Sequence, residues 1–136
     1  AITCNPNSEA GKRSAHALDV DSGPELLAGS TRLKSGTAQK LVLNMISTVT
    51  RVRLGKTFGN LMVDLQIINE KLQDRAIRII EKATGATRAA SAAALTDSGH
   101  EVKVAILMLL LNIDANSAKD RLSASQNRIR QALTDG

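Results

Sequence analysis

The chain opens on a strand-like segment, a polar loop and a helical pattern. Residues Ala1–Cys4 predict a short buried strand, and Glu9–Leu18 predict a helix after a loop that ends in capping residues. A second short strand is expected at Asp19–Asp21, just before the Gly-Pro pair at 23–24. The order strand, helix, strand is typical of an α/β sheet. Because the first strand has no lead-in, we expect a piece cut from a longer domain.

A long helix is predicted after the glycine-bounded loop at 29–36. From Ala38 to Val52 apolar residues recur at helical spacing, so one face of this helix is expected to lie in the core. Gly55 is placed to end the helix as a C-terminal cap. Residues 56–64 are expected to turn the chain back, in a conformation that the pattern leaves open.

Polar capping residues before apolar stripes predict the remaining helices. Asn69 is placed to cap a helix that ends before Gly85, and Thr87 to cap an alanine-rich helix that runs to Asp97. Asp114 precedes the last helical stretch, which the pattern divides in two. The further expected helices are Val102–Leu111, Ser117–Leu122 and Gln126–Leu133, with breaks at Gly99 and at 123–125.

Composition narrows the class of protein. The 136 residues are 43% hydrophobic with Phe58 as the one aromatic residue, which suits a helical aliphatic core. Nucleic acid is not expected as a partner, because the net charge of +5 is scattered and stacking residues are lacking. The apolar run Val104–Leu111 is too short to span a bilayer. With one cysteine and no secretory signal, a cytoplasmic protein without a membrane partner is expected.

The loop before the long helix carries the candidate chemistry. Ser30, Thr31 and Lys34 offer hydroxyls and a cation next to a helix N-terminus, where backbone N–H groups and the helix dipole favour an anion. From the residues alone, a capped loop with solvent-exposed cations is the favoured interpretation, and a phosphate or sugar site is the alternative. Glu25 is expected to order this loop, although a carboxylate there could also act as a base.

Other reactive residues lack the neighbours that a site requires. His16 and His100 have no second ligand at metal-binding spacing, so no metal is expected. Cys4 has no nearby group that would lower its pKa, which favours packing over nucleophilic chemistry. Asn69 and Lys71 are explained equally well as a helix cap and a surface cation.

One segment closely resembles a known signature. The eighteen residues Gly23–Lys40, GPELLAGSTRLKSGTAQK, resemble the motif shared by the bacterial N-acetylmuramic acid 6-phosphate etherases and the animal glucokinase regulatory protein. The stretches Leu41–Thr48, Gly59–Asp64 and Asn69–Leu72 look like the etherases and not the regulator. Residues 83–85, 99–100 and 105–106 are similar to the etherases' C-terminal helical domain.

The resemblance implies an α/β fold, of which this chain would be the C-terminal half. Residues 1–66 would be the C-terminal portion of a sugar isomerase (SIS) domain, a parallel α/β sandwich. Residues 67–85 would form a linking helix, and residues 86–136 a small three-helix domain similar to ubiquitin-associated (UBA) domains. The chain itself is expected to be mostly helical.

The resemblance also implies a function, that of a carbon–oxygen lyase working in peptidoglycan recycling. Such etherases cleave the lactyl ether of N-acetylmuramic acid 6-phosphate by elimination and hydration, giving N-acetylglucosamine 6-phosphate and D-lactate. They act as homodimers and need no metal or other cofactor. Ser30, Thr31 and Lys34 would line the substrate site. The catalytic glutamates of the family lie in its N-terminal half and do not map onto this chain, so the chain alone is expected to be inactive.

Two alternatives belong to other classes. A non-catalytic phosphosugar-binding regulator of the glucokinase regulatory protein type would share the signature without the chemistry. An independent helical interaction module is less favoured, because it would leave sheet edges exposed.

Overall fold

The computed structural model describes residues 1–134 and is mostly helical, with two small two-stranded sheets. The predicted helical character is therefore confirmed. The chain divides into two compact units, Ala1–Thr50 and Arg51–Gly136.

The first unit begins with a strand–helix–strand motif. Strand β1 (Ile2–Thr3) pairs in parallel with β2 (Leu18–Asp19), and helix α1 (Glu9–Arg13) lies between them in sequence. The predicted order is confirmed, but a helix reaching Leu18 is wrong. The backbone is already extended at Ser14, and the Leu18 N–H donates to the Ala1 carbonyl at 2.9 Å. Strand β1 is half-buried, where the sequence predicted a buried strand.

Helix α2 (Lys34–Arg53) begins before its predicted start at Ala38. The prediction that one of its faces lies in the core is wrong, because none of its residues is buried. Leu43, Met45 and Val49 are each more than half exposed. The apolar pattern of this helix is real, but most of that face is exposed, with Ala38 and Val42 half-buried.

The second unit contains a β-hairpin where the sequence left the conformation open. Strands β3 (Thr57–Phe58) and β4 (Leu61–Met62) pair antiparallel, with Thr57 opposite Met62. The two-residue connection places Gly59 at a φ of 58°, a left-handed conformation that glycine adopts without steric cost. Val63 follows at 1% exposure and anchors the hairpin in the core.

Within residues 1–134 five helices follow the hairpin, the predicted caps Asn69 and Thr87 are confirmed, and Asp114 proves to be a cap as well. The Asn69 side chain accepts from the Leu72 N–H at 3.0 Å, and the Thr87 and Asp114 side chains cap their helices in the same way. The helices are α3 (Glu70–Thr84), α4 (Arg88–Asp97), α5 (Val102–Leu111), α6 (Ala115–Ala124) and α7 (Ile129–Thr134).

Helix α5 is the centre of this unit and packs against α3, α4, α6 and α7. All of its residues except Lys103 are apolar, which is the pattern of a largely buried helix. Full burial of an aliphatic side chain contributes about 1.5–3 kcal/mol, so the side chains around α5 supply most of the packing energy. The largest fully buried apolar residues are Val63, Ile80, Leu95, Val104, Ile106, Leu107 and Ile129.

The connection from α6 to α7 differs from the prediction. Gln126 was expected to begin the last helix, but Gln126 and Asn127 both have a positive φ, 52° and 59°. The Asn127 N–H donates back to the Leu122 carbonyl at 2.9 Å. The two residues therefore form a left-handed turn that closes α6, and helix α7 starts only at Ile129.

Candidate functional site

The predicted substrate loop forms a hydrogen-bonded turn ahead of α2. The Ser30 N–H donates to the Leu27 carbonyl at 3.0 Å, and the Gly36 N–H donates to the Thr31 carbonyl at 2.8 Å. Ser30 is half-buried and Thr31 is exposed. Neither hydroxyl makes a hydrogen bond with another residue of the described chain. Both hydroxyls are therefore available to a ligand.

Glu25 holds this loop against the start of α2. Its Oε2 accepts from the Lys34 N–H at 2.9 Å and its Oε1 from the Ser35 N–H at 3.0 Å. These two hydrogen bonds hold the pKa of the Glu25 carboxyl below its ordinary value, and the bond from the Ser35 N–H has the larger effect. The carboxylate occupies the place where a helix N-terminus favours an anion, so Glu25 acts as the loop-ordering residue.

Lys34 contributes to the same turn through its side chain. Its Nζ donates to the Pro24 carbonyl at 3.1 Å, while the residue stays exposed as the first of α2. Ser30, Thr31 and Lys34 thus lie together in one exposed turn. The Lys34 ammonium has two further N–H donors, because an ammonium carries three.

A cationic groove in the second unit was missed from the sequence. Helix α3 and the hairpin enclose about 620 Å³, and four cations of α3 line the groove with no carboxylate among the lining residues. The residues lining the groove are Asn60, Leu61, Met62, Asn69, Lys71, Leu72, Arg75, Arg78, Ile79 and Lys82.

The chemistry of the groove suits an anion with polar substituents. Lys71, Arg75 and Lys82 form no ion pair within residues 1–134, while Arg78 is paired with Asp74. Asn60 adds an amide beside them. The signal in the sequence was the spacing of the four cations along one face of α3. The same spacing is typical of an ordinary solvent-exposed helix face, and only the neighbouring hairpin turns that face into a groove.

Other groups weighed from the sequence do not assemble into a site. Among residues 1–134, no three His, Cys, Asp or Glu side chains are grouped so that they could hold a metal ion. Cys4 is half-buried, and its Sγ–H donates to the Ser35 carbonyl at 3.6 Å. His16 and His100 are both exposed. Within residues 1–134, no helix is long and apolar enough to cross a membrane.

Comparison with known proteins gives matches along the whole chain. Residues 59–104, which include β4 and α3, match the family described as the C-terminal lid domain of glucokinase regulatory protein. A protein of Rubrobacter xylanophilus named N-acetylmuramic acid 6-phosphate etherase is 56% identical over 99% of this chain and 44% of its own length. The protein of the same name from Serratia proteamaculans is 56% identical over 98% of this chain and 45% of its own length.

A third relative gives the same result. The Streptomyces coelicolor protein of that name is 52% identical over 97% of this chain and 42% of its own length. The chain spans less than half the length of these curated relatives. Identity at this level over nearly every residue shows that the chain belongs to the N-acetylmuramic acid 6-phosphate etherase family.

Proposed function

We propose that this chain is the C-terminal part of an N-acetylmuramic acid 6-phosphate etherase and supplies part of its phosphosugar site. The enzyme would release D-lactate by elimination and would then add water to give N-acetylglucosamine 6-phosphate. The observation that carries the proposal is the 56% identity to relatives of this name across nearly the whole chain.

The proposed architecture has three parts. Residues 1–66 complete a SIS-type parallel sandwich, residues 67–85 link it to the rest, and residues 86–136 form a UBA-like three-helix domain. The parallel pair β1 and β2 and the uncovered apolar face of α2 support the first part, because both are what an incomplete sandwich would expose. We further propose a homodimer that works in the cytoplasm without nucleic acid, membrane or cofactor.

Two surfaces, one in each unit, are proposed as separate candidates for binding a phosphosugar. The free hydroxyls of Ser30 and Thr31 and the Lys34 ammonium suit sugar or phosphate oxygens. The groove along α3 suits the phosphate, because unpaired cations such as Lys71 and Arg75 attract a dianion and no lining carboxylate opposes them.

A second candidate function rests on the match to the lid domain of glucokinase regulatory protein at 59–104. A regulator of this kind would bind the phosphosugar without converting it. An etherase and a regulator would both bind the phosphosugar, but only the etherase would convert it.

A chimera tests the proposal directly. The matching 134 residues of the Serratia proteamaculans protein would be replaced by this chain, and D-lactate release from N-acetylmuramic acid 6-phosphate would be assayed. We expect the chimera to release lactate, the Serratia protein without this segment to be inactive, and the chain alone to be inactive. Binding without release by the chimera would favour the regulator, and release by the chain alone would contradict the upstream location of catalysis.

Variants of the chimera test the two surfaces separately. Lys71→Met in the groove is expected to raise KM at least about tenfold, because a desolvated charge-assisted contact is worth roughly 1.5–3 kcal/mol. Lys119→Met is the matched control, since Lys119 pairs with Glu101 outside the groove. In the loop, Ser30→Ala is compared with Ser47→Ala on the exposed side of α2. Equal KM values for a variant and its control would remove that surface from the site.

A further inference from the structure

A second cavity in the Arg51–Gly136 unit has no part in the proposed function. It encloses about 570 Å³ and combines aliphatic walls with a small cluster of charges. The residues lining it are Leu54, Lys56, Val63, Asp64, Leu65, Gln66, Ile67, His100, Glu101, Val102, Lys103, Leu122 and Asn127.

The charge cluster has a surplus of one positive charge. Asp64 bridges two ammonium groups, with its Oδ2 at 2.8 Å from Lys56 Nζ and its Oδ1 at 3.3 Å from Lys103 Nζ. The remaining acidic lining residue, Glu101, is paired with Lys119 at 3.0 Å. Two ammonium groups and the single Asp64 carboxylate therefore leave a net charge of +1 at the cavity wall, and one singly charged anion would neutralise it.

The lysines keep unused hydrogen-bond donors. Lys103 is 11% exposed at its side chain, and its Nζ donates to Asp64 and, at 3.4 Å, to the Asn127 carbonyl. Lys56 Nζ has Asp64 as its one partner within the described chain. Since each ammonium carries three N–H groups, two donors of Lys56 and one of Lys103 remain for a ligand. A nearly buried ammonium group with an unpaired N–H donor costs free energy unless an acceptor forms a hydrogen bond with that donor.

The other walls select against a fully polar anion. Leu54, Leu65, Ile67 and Leu122 provide aliphatic surface beside the cluster. Burial of a short hydrocarbon chain against such surface contributes about 0.8 kcal/mol per CH₂ group. A phosphate dianion would leave a negative charge uncompensated and would gain nothing from these walls.

From this combination we propose that the cavity binds a short-chain monocarboxylate, with its carboxylate on Lys56 and Lys103 and its alkyl group against the leucine and isoleucine walls. This site is separate from the groove along α3, because Lys56, Asp64 and Lys103 do not line that groove.

The test is an NMR titration of the ¹⁵N-labelled full chain with sodium isobutyrate at constant ionic strength. Saturable shifts are expected at the amides of Lys56, Asp64 and Lys103, with acetate binding more weakly because it buries less hydrocarbon. Inorganic phosphate at the same ionic strength is the control for general anion attraction. Shifts that grow linearly without saturation, or tighter binding of phosphate than of isobutyrate, would overturn the proposal.

Two variants decide whether the cluster is responsible. Lys56→Met keeps the Asp64–Lys103 pair intact and removes the surplus charge, so isobutyrate affinity should fall about tenfold or more. Lys12→Met makes the same change of charge at an exposed residue of α1 that does not line the cavity, and it should leave the affinity within about twofold. If both variants bound isobutyrate as the unaltered chain does, the cluster would be a structural ion pair only.

Discussion

Replacing Gly55 with alanine should destabilise the Arg51–Gly136 unit more than the same change at other left-handed glycines. Gly55 has a φ of 67°, where an L-residue costs about 1–2 kcal/mol. An added Cβ would also lie 2.8 Å from Arg128 Cγ and 3.0 Å from the Asn127 carbonyl oxygen. The Arg128 side chain can shift, but it would then release its hydrogen bond to the Arg53 carbonyl, 3.0 Å long and worth about 1 kcal/mol at this exposed position.

Together these effects predict a loss of roughly 2–4 kcal/mol in the free energy of unfolding. Urea unfolding followed by far-UV circular dichroism measures it, since the chain has no Trp or Tyr to report by fluorescence. Gly85→Ala is the control, because Gly85 has a φ of 75° and no atom within 4 Å of its added Cβ. It should lose only the strain of about 1–2 kcal/mol. Equal losses for the two variants would refute the steric part of the argument.

The remaining predictions concern single polar groups. Ser91→Ala should raise the free energy of unfolding by about 1 kcal/mol, because the buried Ser91 hydroxyl has no hydrogen-bond partner among residues 1–134 and alanine favours the helix; a decrease in urea midpoint would contradict this. Asp64→Asn should lower the free energy of unfolding by about 1–2 kcal/mol, because it leaves Lys103 without its carboxylate partner. This value is already reduced for the partial exposure of Asp64, and an unchanged urea midpoint would contradict the prediction. Glu25 has a lowered pKa, so its stabilisation is present above the ordinary glutamate pKa of roughly 4.3 and disappears as the pH falls through the lowered value. Amide hydrogen exchange at Lys34 and Ser35 should therefore accelerate, relative to other α2 amides, in that acidic range, and Glu25→Gln should abolish this pH dependence.

Helix starts could be predicted from the sequence because caps are local. Asn69, Thr87 and Asp114 each accept a hydrogen bond from a backbone N–H two or three residues later, so the signal and its partner lie within one turn. Helix ends at glycine were equally predictable from the sequence. Gly85 takes the left-handed conformation that its position after an apolar stripe indicates.

The failed predictions involve partners that are distant in the sequence. The early helix ends before Leu18 because that residue pairs with β1, and no pattern within 9–18 encodes the pairing. The apolar face of α2 was read correctly as a stripe, but a stripe does not say which element covers it. At Gln126 the helical spacing continued, yet a left-handed turn packed near Gly55 interrupts it.

The sequence predicted a candidate site at the start of α2 but not which of its hydrogen-bond donors are already used. Helix dipole and free N–H groups suggested an anion site at the start of α2, but the Glu25 carboxylate already accepts from the Lys34 and Ser35 N–H groups. A phosphate there would have to displace a carboxylate held by two hydrogen bonds. The side chains that remain free in the loop are the Ser30 and Thr31 hydroxyls, which are better suited to sugar oxygens than to a dianion. We therefore expect the unpaired cations of α3 to attract a phosphate more strongly than the loop before α2 does, because the groove along α3 has no lining carboxylate.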